Sequence, residues 1–261
     1  MRKLTGMKTS TSTLWLRRGL ALLAIGGVSF LLLGQTVEQP QNLFNAPTNM
    51  EELAAEVTAA SYLVGCGTGS GSGWGLKTTW QGIEVEYIVT NYHVIDDCLT
   101  TQSPTVTDYK GFESKAEIVI FQKRESNYAR SQHATDLAFL KPKDFGINGL
   151  TKLSLDFPLG SWVMTSSYPG VGSYGNPHTI TTGVLSSVVD LEGISTTAAI
   201  NRGSSGGVVV NARGEVVGTV YRGWDEDVLN DVGLFLSTNR LNDLLAEAHA
   251  RSTSSKGGAD K

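Results

Sequence analysis

Two cysteines, four histidines and four methionines are all that the 261 residues offer in soft or metal-ligating side chains besides carboxylates. Cys66-Gly67-Thr68 does not continue into the C-x-x-C spacing of a zinc or redox site, so no metal is expected. The chain also lacks an excess of positive charge. Its 21 Lys and Arg against 25 Asp and Glu leave a net charge of −4, which supplies no basic patch for nucleic acid. Phosphate-cradling loops are missing too. Leu76 stands where a Walker loop needs the glycine before Lys77. Gly170-Val171-Gly172-Ser173-Tyr174-Gly175 does match G-x-G-x-x-G, but Pro177 and the β-branched residues at 179–182 follow it where a dinucleotide loop must open a helix, so it reads as a turn. No cofactor is called for.

Long apolar runs are absent except for one, the 16 residues 19–34, which follow Arg2, Lys3, Lys8, Arg17 and Arg18 and precede the first acid, Glu38. Such a run is an export signal, near the upper length for a signal peptide and short for a spanning helix, and no A-x-A cleavage site follows it. Cleavage and anchoring both stay open. Either way the positive flank keeps the N-terminus inside and sends the remainder out, to the periplasm or beyond the cell, and retention would tie the chain to the membrane through residues 19–34. Arg17-Arg18 lacks the surroundings of a twin-arginine signal. Residues 35–55 read as a linker because Gln, Asn and Pro recur without apolar period, with a short helix possible from Met50.

From 56 to 250 the chain reads as one β-rich domain. Tyr62-Leu63-Val64 begins it, and glycine at every second position through 65–75 suits a strand. Short apolar runs then recur at 83–89, 116–121, 137–140, 162–166, 179–189, 208–211 and 216–221 with no helix between them, the mark of a sandwich or barrel. Leu241, Leu244 and Leu245 define an amphipathic helix over 239–250, and 251–261 reads as a disordered tail.

Chemistry concentrates in Asn201-Arg202-Gly203-Ser204-Ser205-Gly206-Gly207, which runs into the strand Val208-Val209-Val210. Ser205 reads as a nucleophile. An alcohol needs a base within reach and donors aimed at the oxyanion it creates, and a turn through Gly203 can point the Gly203 and Ser205 N–H groups at one spot. His93, ending the apolar run Ile88-Val89-Thr90-Asn91-Tyr92, is the candidate base, and Asp136, before Leu137-Ala138-Phe139-Leu140, is the candidate carboxylate that fixes its tautomer. Taken singly, each has a plainer reading: a Ser/Gly turn, a satisfied rim histidine, a turn-forming aspartate.

In the order His93, Asp136, Ser205, the segments T-N-Y-H-V-I, T-D-L-A-F-L-K and G-S-S-G-G resemble the chymotrypsin-fold serine proteases, most closely the bacterial high-temperature-requirement (Htr-type) branch. Gly71-Ser72-Gly73-Trp74, T-I-T-T-G-V-L-S at 179–186 and N-A-R-G-E-V-V-G at 211–218 extend the resemblance. It implies a double six-stranded β-barrel with a C-terminal helix, and a serine endopeptidase acting on proteins or peptides through an acyl-enzyme. The runner-up is a binding or chaperone-like module of the same fold with a misaligned triad. Arg202 and Val208 replace prolines usual in the branch, and Ser204 replaces Asn or Asp. In relatives activated by cutting, an aspartate there pairs with the freed N-terminus, so that switch is not expected. The PDZ module that many members carry does not fit in the residues after Ala250.

Two further expectations concern pairing and specificity. Cys66 and Cys98, an even pair in an exported chain, should be joined and not remain as buried thiols. By the resemblance, Ala199, six residues before Ser205, would floor the pocket for the residue before the cut, with Thr219 and Val220 narrowing its wall. An uncharged pocket of that kind favours small or aliphatic residues over Arg or Lys.

Overall fold

A strand in which every residue is apolar, and not every second one, needs burial on both faces, and β3 (Ile83–Asn91), β6 (Leu137–Pro142) and β10 (Val208–Asn211) end or run that way. The computed structural model, which describes residues 42–100, 102–123, 136–170, 172–188, 193–223 and 232–256, shows how both faces are covered. Two closed antiparallel barrels of six strands stand against each other. The first runs β1 (Ser61–Cys66), β2 (Gly69–Trp80), β3, β6, β5 (Glu113–Gln122), β4 (Thr105–Thr107). The second runs β10, β11 (Val216–Gly223), β12 (Gly233–Ser237), β9 (Gly193–Thr196), β8 (Thr179–Val188), β7 (Trp162–Ser167).

Alternation along each seam strand assigns its residues to two different cores. Ile88, Ala138 and Leu140 fill the first barrel, while their neighbours Val89, Leu137 and Phe139 join the cluster between the barrels. Val209 fills the second barrel, while Val208 and Val210 face the seam. Trp74 is fully buried in that seam, and its indole Nε1 donates to Thr219 Oγ1 across it at 3.1 Å. The seam is therefore a packed core in its own right, which fixes one barrel against the other.

Two helices close the seam. α1 (Met50–Ala59) buries Leu53 and Val57, and α3 (Thr238–Lys256) buries Leu241, Leu244 and Leu245 on one face at helical spacing. The expected linker over 35–55 is corrected by Leu43, whose carbonyl accepts the Trp162 N–H at 2.8 Å, while the short helix read from Met50 is α1. Leu43 is buried, so the folded unit starts well before residue 56. The disordered tail expected from 251 is corrected as well: α3 continues to Lys256, with Arg251 Nη2 on Glu247 Oε1 at 2.6 Å one helical turn back. Strands β4, β9 and β12 escaped the sequence reading because they are three to five residues long and carry Ser, Thr or Gly at their ends. The export signal at 19–34 lies outside the described residues. Among the described residues no helix is long and apolar enough to cross a membrane.

Candidate active site

His93 leaves β3 on the four-residue helix α2 (Tyr92–Ile95), and Asp136 sits immediately before β6, the strand paired with β3. Asp136 has a left-handed backbone, with φ of +44°, and is 1% exposed. Aspartate is among the few residues that tolerate this region. The conformation is held by its own carbonyl, which accepts from Tyr92 N–H and from Asn91 Nδ2, each at 3.0 Å. Its carboxylate then faces His93: Oδ1 accepts the main-chain N–H at 2.9 Å and Oδ2 lies 2.6 Å from ring Nδ1. A buried carboxylate needs such partners. Because Nδ1 carries its hydrogen toward Oδ2, Nε2 is left as the basic nitrogen. A disulfide between Cys66 on β1 and Cys98, in the 3₁₀ turn that follows α2, fastens this loop to the barrel wall, as the even cysteine count implies.

The turn 201–207 turns every one of its first five carbonyls to a partner. Asn201 O accepts Ser204 N–H at 3.0 Å, Arg202 O accepts Gly170 N–H at 2.8 Å, and Gly203 O accepts the Ser72 hydroxyl at 2.7 Å. Ser204 O accepts Gly207 N–H at 2.9 Å and Ser205 O accepts Ser72 N–H at 2.8 Å. With the carbonyls so directed, Gly203 N–H and Ser205 N–H donate to no carbonyl among the described residues. Gly203 has φ of +88° and lies against Gly170 and Tyr168, where a Cβ would come within 2.8 Å of backbone. The arrangement can hold a developing negative charge on an oxygen.

Ser204 and Ser205 are separated sharply. Ser204 is buried, its Oγ accepting from Ser167 Oγ at 3.1 Å and from Asn201 N–H at 3.3 Å. Ser205 is partly exposed and its hydroxyl donates to Tyr221 O at 3.0 Å. Tyr221 is the extra residue at the β-bulge where β11 slips against β12, and its ring stands edge-on to the His93 imidazole at 6.2 Å. The bulge thus brings the Ser205 hydroxyl and the His93 ring to one residue.

The expected pocket residues fare unevenly. Ala199 is exposed, with its carbonyl taking the Thr181 hydroxyl at 2.9 Å. Thr219 and Val220 are corrected as pocket walls: the Thr219 hydroxyl is turned to Trp74, and Val220 is fully buried with Val209 and Phe235 inside the second barrel. Ile200, unnoticed in the sequence, packs where β12 lacks a side chain. A Cβ on Gly233 would lie 2.1 Å from Ile200 Cδ1. Tyr221 and Ser72 also escaped notice. The glycines at 71 and 73 were the available signal for Ser72, since they admit another backbone closely: a Cβ on Gly71 would meet Val94 at 2.6 Å and Ser205 O at 3.1 Å. His178 packs edge-on to Tyr168 and bonds Ser166 Oγ through Nε2 at 2.7 Å. Burial lowers its pKa from the ordinary value and pushes that of Tyr168 up to about 12.

Comparison with known proteins agrees with this geometry. The "Serine protease Do-like HtrA" of Bacillus subtilis is 29% identical over 193 residues, 69% of this chain and 40% of that protein. A "Probable periplasmic serine endoprotease DegP-like" of Chlamydia trachomatis is 33% identical over 141 residues, 51% of this chain and 25% of that protein. The chain thus spans less than half the length of these relatives. The crystal structure of the serine endoprotease from Yersinia pestis superimposes with a TM-score of 0.60 at 24% identity, over 78% of this chain and 68% of that one, and shares the two-barrel, chymotrypsin-like fold. Residues 67–218, more than half of the chain, match the trypsin-like peptidase domain, and the chain belongs to that family.

Proposed function

We propose that the protein is an exported serine endopeptidase that cuts protein or peptide substrates with Ser205 as nucleophile, His93 as general base and acid, Asp136 as its orienting carboxylate, and the Gly203 and Ser205 amides as the oxyanion hole. The observation that carries this reading is the double hold of Asp136 on His93, through ring and main chain together. Such a hold leaves Nε2 basic and directed. Rotation of the Ser205 hydroxyl from Tyr221 O toward Nε2 begins the reaction: the imidazole takes the proton as the alkoxide attacks the substrate carbonyl, returns it to the leaving amine, and activates water for deacylation. The described chain needs no further group for these steps. Export rests on the charged, apolar N-terminal segment and on the periplasmic designation of the Chlamydia relative. For the residue before the cut we propose small or aliphatic side chains, because Ala199 brings no charge.

One observation favours a second reading. The Ser205–Tyr221 hydrogen bond occupies the hydroxyl, as in a resting, chaperone-like module that binds unfolded chains without cutting them. Incubating the full chain and its Ser205→Ala and Ser204→Ala variants with a reduced, alkylated protein separates the two. The proposal predicts cleavage by the parent, loss in Ser205→Ala, and a far milder effect of Ser204→Ala. Equal inertness of all three chains, with binding retained, favours the module; a stronger loss in Ser204→Ala overturns the assignment of the nucleophile.

A further inference from the structure

We propose that Ser72, on β2 of the first barrel, is a positioning residue that sets the oxyanion geometry of the 201–207 turn in the second, an inference that rests on the peptidase reading above. Ser72 is fully buried and each of its polar groups is engaged. Its N–H donates to Ser205 O at 2.8 Å, its hydroxyl donates to Gly203 O at 2.7 Å and accepts Tyr168 N–H at 2.8 Å, and its carbonyl accepts the Thr90 hydroxyl at 2.7 Å.

Chemistry fixes the direction of the hydroxyl bonds. Tyr168 N–H can only donate and Gly203 O can only accept, so the single proton on Oγ points at Gly203. That carbonyl belongs to the peptide between Gly203 and Ser204, flanked by the Gly203 and Ser205 N–H groups, which donate to no carbonyl among the described residues. Gly203, with φ of +88° and no Cβ, has little intrinsic preference to keep that peptide in place. The hydroxyl supplies the restraint. Without it, the same peptide is held among the described residues only by Ser204 N–H on Asn201 O. Thr90 lies three residues before His93 on β3, so Ser72 also ties the strand that delivers the base to the turn that delivers the nucleophile. Access for this contact is built in. A Cβ on Gly206 would sit 2.0 Å from Ser72 O, and Gly206 supplies none.

Positioning predicts a loss in the chemical step and not in binding. With a small alkyl fluorophosphonate, which needs no specificity pocket, Ser72→Ala should lower the saturating labelling rate about 10- to 100-fold while the half-saturating concentration changes less than about twofold. The low-field proton resonance between His93 Nδ1 and Asp136 should persist, which a general loosening of the site would not allow. Ser72→Cys, retaining a weak donor of similar volume, should recover part of the rate. A folded Ser72→Ala labelled at the parent rate overturns the proposal, and so does a loss in which the low-field resonance vanishes. Should Ser72→Ala fail to fold, Ser72→Cys decides: a parent rate there overturns the proposal, and a lowered rate with unchanged half-saturation supports it. A parent chain that is not labelled at Ser205 overturns the peptidase reading itself, an outcome distinct from equal labelling of parent and variant.

Discussion

Asp136 holds His93 twice, its Oδ2 2.6 Å from the ring Nδ1 and its Oδ1 2.9 Å from the main-chain nitrogen. Both contacts ask the side chain to accept. Asp136→Asn keeps the shape and tolerates the left-handed φ, but its NH₂ can serve neither role and drives the imidazole to the wrong tautomer. We expect kcat to fall by a factor on the order of 10⁴, with the unfolding midpoint little changed. Steady-state kinetics beside thermal unfolding checks this, and a kcat within tenfold of the parent contradicts the role.

At Gly206 the backbone of the 201–207 turn comes close to that of β2 in the other barrel. An added methyl would lie 2.0 Å from Ser72 O and 2.5 Å from Thr90 Oγ1, on a residue with φ of +86°. Gly206→Ala must push the turn off Ser72 and strain its own backbone. Activity should fall at least about a hundredfold and stability by roughly 1–3 kcal/mol. An active, unshifted variant would show that the turn tolerates more movement than its contacts imply.

The Cys66–Cys98 bond spans a sequence separation of 32 and staples the loop after His93 to β1. Constraint of the unfolded chain by a loop of that size is worth roughly 3 to 4 kcal/mol. Replacing both cysteines by serine should lower the unfolding free energy by about that amount in denaturant titrations. In the unmodified exported chain, neither thiol should react with an alkylating reagent until a reductant is added.

Burial lowers the pKa of His178 below its ordinary 6.5, so the unfolded chain binds this proton before the folded one does as pH falls. Its contribution is therefore complete above pH 6.5 and is lost progressively below it. His178→Gln, which can keep the bond to Ser166, should flatten the fall in stability on acidification below pH 6.5. Identical slopes in the two chains would place the titrating group elsewhere.

The parts of the site legible in the sequence were those whose chemistry is confined to a few neighbouring residues. Ser205 is announced by Gly203, Gly206 and Gly207, and His93 and Asp136 by the apolar strands they terminate. Strands β3, β6 and β10 were visible because burial on two faces makes their central stretches, Ile88-Val89, 137–140 and 208–210, continuously apolar. What was hidden depends on partners far along the chain. Ser72 bonds residues 131 and 133 positions away, Thr219 turns to Trp74 across the seam, and Tyr221 reaches Ser205 through a bulge. The early start of the domain was masked because Leu43 lies in a segment rich in Gln, Asn and Pro and is held by a partner far along the chain, the Trp162 N–H that its carbonyl accepts.

The proposed preference turns on charge. Ala199 offers none, and a buried, unpaired substrate cation costs several kcal/mol, so profiling the purified chain on a peptide library should give cuts after small or aliphatic residues. A dominant cut after Arg or Lys would contradict the proposed aliphatic preference and implicate Asp225, Glu226 or Asp227, which lie outside the described residues.

Ser205, activated by His93, is proposed as the one nucleophile. Labelling the parent chain with a fluorophosphonate and locating the adduct by peptide mass spectrometry tests it most directly. We expect one phosphonyl group per active chain, on Ser205, with labelling lost in His93→Ala. An adduct on Ser204 or another residue, or labelling of Ser205 that survives His93→Ala at the parent rate, would contradict it.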